Sequence, residues 1–168
     1  MLIKVNKQDK PIGNIDKLEA HLGKGTLHRA FTCIIKNSNN QFLLTKRALV
    51  KPLWPTFWDL SFSSHPEDKQ NLKQVVIGRA KIELGIKLKN PQFLFKYYYQ
   101  KQWSDIFSEH EINHIFVADY NGELDLNPQE ISQSIWLDKD KLFNYISTNQ
   151  NHIAPWILIS LNKIKKLI

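Results

Sequence analysis

The order of apolar and polar residues divides the chain into short alternating runs and a few stretches with helical spacing. Apolar residues flank the turn-forming Gln8-Asp9-Lys10-Pro11, which predicts a hairpin over residues 1–15. Residues 16–22 read as a brief helix that Asp16 can cap. Two strands, 28–36 and 41–47, follow, joined by the turn Asn37-Ser38-Asn39-Asn40. Residues 54–86 predict a strand that presents the turn Ser63-Ser64-His65-Pro66 and then a helix. In that helix Leu72, Val75, Val76 and Ala80 recur at helical spacing, Arg79 and Glu83 share a neighbouring polar face, and Gly85 supplies a left-handed cap. Residues 91–103 alternate as a long strand, with Phe93, Phe95, Tyr97 and Tyr99 on one face and Leu94, Lys96 and Tyr98 on the other. The run SEHEINHIFVADY predicts another, with Glu109, Glu111 and Asn113 on one face and His110, Ile112 and His114 on the other. The turn Asn121-Gly122-Glu123, a strand at 131–138, a helix at 139–146 and a C-terminal helix at 155–168 complete the pattern. Pro155 suits a first helical turn, and Lys163, Lys165 and Lys166 suit the dipole at the helix end. No repeat, linker or low-complexity tract interrupts it, so the expectation is one α/β domain over residues 1–168.

Composition adds limits. A hydrophobic share of 42% and a charged share of 23% are ordinary for a globular protein long enough to bury a core without staples. The single cysteine, Cys33, lies inside the apolar run AFTCII, which excludes a disulfide framework and points to a buried side chain in a reducing compartment. No segment is apolar and long enough to span a bilayer and the N-terminus lacks a signal-peptide core, so a cytoplasmic location with no membrane partner is expected. The net charge of +7 suits an anionic partner. The positives are scattered and no nucleic-acid motif is present, so a small diphosphate is preferred over nucleic acid.

Several residues offer chemistry whose reading stays open on the sequence alone. His21 and His28 flank the spacer Gly23-Lys24-Gly25 and are either metal ligands or surface and capping residues. Lys46, Arg47 and Lys51 enter a Pro-bracketed loop that either holds an anion or is simply solvated. Trp54, Phe57 and Trp58 either pack in the core or wall a pocket whose ring faces favour a cation. Glu109 and Glu111, two apart on a strand face, repel one another, and a bound cation removes that cost.

The helix ending RAKIELG, preceded by W-P-x-x-W…S-x-x-x-H-P, resembles a Nudix helix in which only the last of the usual glutamates survives, as Glu83. In this form it is similar to type 1 isopentenyl-diphosphate isomerases, and the likeness covers roughly residues 21–156. It implies a Nudix-like mixed β-sheet sandwiched between helices, acting on a prenyl diphosphate as a monomer or homodimer. His21, His28, His65, Glu109 and Glu111 fall on the positions that bind a divalent metal, for which zinc, manganese or magnesium suits the donors. Lys17, Arg47, Lys51 and Arg79 match the diphosphate positions, and Glu83 matches the position that binds the accompanying Mg2+. Tyr99, Glu111 and Trp156 match the acid and aromatic positions at the reacting end. Ser63 stands where the family has a catalytic cysteine, and Ser64 replaces the glycine that follows it. A hydroxyl is far less acidic than a thiol. The readings carried forward are isomerisation through Ser63, proton-initiated cyclisation or rearrangement of another prenyl diphosphate, non-catalytic binding, and Nudix hydrolysis. The last is disfavoured because Gly78, Arg79 and Ile82 occupy the helix where metal-gathering charges would stand.

Overall fold

The computed structural model describes residues 1–68 and 70–168. Among these residues the elements are β1 (Leu2–Val5), β2 (Pro11–Ile15), α1 (Lys17–His21), β3 (His28–Lys36), β4 (Gln41–Arg47), β5 (Trp58–Asp59) and β6 (Phe62–Ser64). There follow α2 (Leu72–Leu84), β7 (Gln92–Gln102), β8 (Ser108–Asp119), β9 (Ile131–Asp138), α3 (Lys139–Thr148), a single 3-10 turn at Gln150–His152, and α4 (Pro155–Leu167). The expected hairpin, both capped helices and the strand pair around residues 37–40 are all present. No helix is long and apolar enough to cross a membrane among the described residues.

The sheet is mixed, and β3 is its axis. It pairs in parallel with β8 along its whole length, from His28 opposite Glu111 to Lys36 opposite Asp119. On its other side it meets β1 at one end, β6 in the middle and β4 at the far end, all antiparallel. A strand bonded on both edges and covered on both faces reads as a continuous apolar run, which accounts for AFTCII. Its residues divide by parity. Phe31, Cys33 and Ile35 join Val76, Ala80 and Leu84 of α2 in one core, while Ile34 joins Trp156, Ile157 and Ile164 of α4 and Leu142 and Ile146 of α3 in the other. The sheet is therefore sandwiched between α2 and the pair α3 and α4.

Gly85 ends α2 at φ 69°, and its amide bonds the carbonyls of Ala80 and Lys81. A Cβ there would stand 2.5 Å from that of Asp125, so both the dihedral and the close approach require glycine.

Three expectations need correction. The face alternation of β7 fails at its start, because a bulge between Phe93 and Phe95 inserts one residue. Phe93 then packs on His114 and Phe116, away from Phe95, Tyr97 and Tyr99, and Leu94 takes the α4 side. The single strand expected before Ser63 is two short ones, β5 and β6, broken at Ser61 with φ 70°. Glu83 does not sit on a polar surface of α2 but is buried at 4% exposure, where Arg79 reaches it.

Candidate active site

On β8 the residues that share the parity of the core residue Ile115 are Asn113, Glu111 and Glu109, so the α4 face of the sheet turns from apolar to acidic toward the start of the strand. On β3 the same face carries Ile34, Thr32, Ala30 and His28, and His28 is the register partner of Glu111. Helix α1, capped by Asp16 through the amides of Leu18 and Glu19, sets His21 over this corner. Its Nδ1 meets the carbonyl oxygen of Lys17 at 2.5 Å. The turn after β6 brings in His65.

The three imidazoles pack with centroids 4.9 to 5.3 Å apart, and ligand atoms of His21, His28, His65, Glu109 and Glu111 all lie within 4.8 Å of one another. His65 Nε2 is 2.8 Å from Glu111 Oε1, while His28 Nε2 is 3.6 Å from the same oxygen, too long for a hydrogen bond. Glu109 Oε2 lies 3.0 Å from His21 Nε2 but off the axis of a hydrogen bond. His28 Nε2 and Glu109 Oε2 are thus buried polar atoms without hydrogen-bond partners, directed at a common point. Such groups are costly unless something else satisfies them. Three imidazoles and two carboxylates fit a divalent cation of borderline hardness, so the donor set answers to the metal. The Nδ1 atoms of His21 and His28 meet the carbonyls of Lys17 and Thr26, which fixes the Nε2 atoms as the outward ligands.

The charges of this corner suit a cation. Burial and the neighbouring Glu111 raise the pKa of Glu109. Burial also opposes ionisation of Glu111, but the neighbouring imidazoles of His28 and His65, the second at hydrogen-bond distance, outweigh it and hold this carboxyl well below its ordinary range. His65 is pushed down to about 3 by burial, which keeps its imidazole neutral and able to ligate. Tyr99 donates its hydroxyl to Glu111 Oε2 at 2.7 Å, and burial and the two glutamates raise its pKa well above that of a free phenol.

These groups border a cavity of about 480 Å³. Its lining includes His21, His65, Glu109, Glu111 and Tyr99, Ser63 and Trp156, and also Lys17, Arg47, Lys51 and Arg79. His28 and Glu83 do not reach its surface. Every expected residue of the reacting end and of the basic set is therefore brought together. Trp54, Phe57 and Trp58 are not part of the wall. They pack against Trp103, Trp156, His152 and Tyr145, and the aromatic lining comes instead from Phe31, Tyr99, Phe107 and Trp156. His110 and His114 lie on the other face of β8, bonded to the carbonyls of Gly25 and Ala30.

The basic set is pre-tensioned. Lys17 is held below the usual lysine range by burial and by the charge of Lys51. Arg47 bonds the carbonyls of Leu53 and Trp54, and its guanidinium stands 5.1 Å from the centre of the Trp156 ring. Arg79 divides itself between Glu83 and Glu130, and Lys51 pairs with Glu130. Glu130 is a residue sequence reasoning missed; it sits in a loop with no local signal. Asp59 was missed too. It is buried at 2% exposure and accepts from Trp156 Nε1 at 3.0 Å. A lone carboxylate among the aromatics of WPTFWDLSF was the available signal.

Known proteins resemble the chain in sequence and in fold. The NUDIX domain signature covers residues 26–157. A protein named isopentenyl-diphosphate Delta-isomerase 1 from Photorhabdus laumondii is 36% identical over 156 residues, 92% of this chain and 89% of the relative. An isopentenyl-diphosphate Delta-isomerase from Shigella boydii serotype 4 is 30% identical over 159 residues, 94% of this chain and 87% of the relative. Among solved structures, a Deinococcus radiodurans protein superimposes with a TM-score of 0.70 at 19% identity, covering 88% of this chain and 89% of that one. The MutT protein of Methanosarcina mazei Go1 gives 0.60 at 18%, covering 70% and 81%; both likenesses speak for the fold alone. The chain belongs to the Nudix superfamily and, within it, to the isopentenyl-diphosphate Delta-isomerase family.

Proposed function

We propose that this chain interconverts isopentenyl and dimethylallyl diphosphate by protonating one face of the five-carbon unit and removing a proton from the other. The observation that carries the proposal is Glu111. It belongs to the His/Glu cluster through Oε1 and takes the Tyr99 hydroxyl through Oε2, at the wall of a cavity that four cations also line.

Lys17, Arg47, Lys51 and Arg79 receive the diphosphate, the arginine forks through paired hydrogen bonds and the lysines as point charges. Arg79 donates to Glu83, so the carboxylate proposed for Mg2+ sits beside the diphosphate site. One carboxylate suffices there because magnesium takes its remaining ligands from phosphate and water. At the reacting end, a divalent metal held by His21, His28, His65, Glu109 and Glu111 would fix Glu111 and draw charge from its carboxylate. The Tyr99 and Glu111 pair holds the proton that passes to the substrate carbon, leaving a tertiary cation. The rings of Trp156 and Tyr99 line the cavity and would stabilise that charge, and their apolar surface would limit the water that could trap it. Ser63 lies at the wall where the opposite proton departs.

The test is product analysis with magnesium and, separately, isopentenyl, dimethylallyl, geranyl and farnesyl diphosphates. Interconversion of the two five-carbon compounds is expected. Conversion of a longer prenyl diphosphate alone would overturn the reading in favour of rearrangement, and phosphate release from nucleotides in favour of hydrolysis. Glu111→Gln is expected to lower turnover by a factor of about 100 or more while diphosphate binding stays nearly intact; retained turnover would remove Glu111 from the proton path.

A further inference from the structure

The four cations of the cavity wall come from separate places in the chain: Lys17 from α1, Arg47 from the end of β4, Lys51 from the loop that follows, and Arg79 from α2. Like charges gathered on one wall repel each other. Lys17 registers this: after burial, the charge of Lys51 is the largest influence holding its pKa down, and Glu130 opposes it. A bound diphosphate relieves the repulsion, but until it arrives the cations need another partner to keep them in place.

Glu130 is that partner. Its Oε2 pairs with Lys51 Nζ and its Oε1 accepts from Arg79 Nη2 at 2.8 Å, so one carboxylate bridges the two cations. Glu130 does not line the cavity, whereas Lys51 and Arg79 both do, so it grips them from behind. Arg79 spends Nε and Nη2 on Glu83 and Glu130, which leaves the two Nη1 hydrogens for a phosphate. Lys51 likewise keeps two of its three ammonium hydrogens. The backbone fixes the carboxylate in this position. The Glu130 carbonyl accepts at 2.9 Å from the amide of Ala48, in the same loop as Lys51. The Glu130 amide donates to the Asn127 carbonyl at 2.9 Å, and the Asn127 amide donates to the carbonyl of Glu83 at 3.0 Å. Residues 127–130 thus tie the Lys51 loop to the end of α2, and the Glu130 side chain repeats that tie.

We propose that Glu130 is the positioning residue of the diphosphate subsite, holding Lys51 and Arg79 at the spacing that receives the ligand. This rests on the isomerase reading above, in which these cations bind the diphosphate. Removing a negative charge from beside an anion site would, by charge alone, tighten binding. Positioning makes the opposite demand. Freed of Glu130, Lys51 regains its rotamers and must be ordered anew by each ligand. The sign of the change therefore separates the two roles.

The experiment is calorimetric titration of inorganic diphosphate, with magnesium, into the native chain, Glu130→Gln and Glu130→Asp. Glu130→Gln is expected to weaken binding about tenfold. Glu130→Asp keeps the charge but shortens its reach by one methylene, and is expected to weaken binding about threefold; it carries the test should loss of the charge unfold the chain. With isopentenyl diphosphate as substrate, Glu130→Gln should raise KM by a similar factor while kcat stays within about twofold, because Glu111 and Tyr99 are untouched. In a Lys51→Met background Glu130→Gln should cost less than about threefold, since Arg79 keeps its two bonds to Glu83. Tighter or unchanged binding by Glu130→Gln would overturn the proposal, as would unchanged binding by Glu130→Asp. An equal loss with and without Lys51 would also overturn it, since Glu130 would then serve only the fold. A native chain that binds diphosphate but converts neither five-carbon compound fails the isomerase reading, while the binding comparison still decides the role of Glu130.

Discussion

At the scale of single residues, the departure that defines this site is Ser63. A thiol at that position would be a better acid and base than the hydroxyl, at a position that Thr32 already holds by a hydrogen bond. Ser63→Cys is therefore expected to raise kcat by about tenfold with little change in KM, measured in the same assay. An unchanged rate would mean that deprotonation does not limit turnover. The five clustered His and Glu residues, the four cations and Ser63 were marked in the sequence by resemblance to the isomerase family, where the residues alone left their reading open. Asp59 and Glu130 were not, since each is paired with side chains distant in the chain that no local pattern announces. Glu130 shows the physical reason. Lys51 and Arg79 hold its pKa down to about 2 against its burial, a pairing made only when the loop before β9 meets α2.

At the scale of elements, the helix that carries Arg79 and Glu83 depends on its ending. The left-handed Gly85 lets the chain turn under Asp125, whose amide bonds the carbonyl of Leu84, while the amide of Asn127 bonds that of Glu83. Gly85→Ala places a Cβ into Asp125 at a dihedral that alanine resists, and should destabilise the protein by about 1–3 kcal/mol in chemical denaturation. The same change is expected to raise KM for the diphosphate, because Glu83 lies within the last turn of the helix and Arg79 is bonded to it. Periodicity found this helix, and capping residues found its end. It failed where a strand departs from regular pleating: the bulge in β7 and the positive φ of Ser61 are set by what the neighbouring strands need, and alternation carries no trace of either.

At the scale of the whole molecule, a second polar cluster fastens the N-terminal hairpin to the far face of the sheet. Asp9 in the hairpin turn accepts from Arg29 of β3 at 2.8 Å and from Lys96 of β7 at 2.7 Å, and stands 3.0 Å from His114 of β8. Burial opposes the charge of Asp9, but these partners prevail and lower its pKa below the ordinary 3.8. A lowered folded value means that this stabilisation is complete above the unfolded pKa and disappears as the pH falls through the folded one. Asp9→Asn is therefore expected to cost about 1–3 kcal/mol near neutral pH. The difference from the native chain should shrink below pH 3.8 and vanish in stronger acid, as followed by urea denaturation at several pH values. A difference that stays constant with pH would show that packing, not charge, holds the hairpin.

The parallel ladder of β3 and β8 has a kinetic meaning as well. His28 and Glu111 face each other only when two strands from opposite halves of the chain have closed in register. Loop closure of that length is slow and comes after local structure has formed. The His/Glu cluster is thus among the last features a refolding chain can complete, and uptake of a cation there would report the final docking of the two halves rather than the formation of any helix or hairpin.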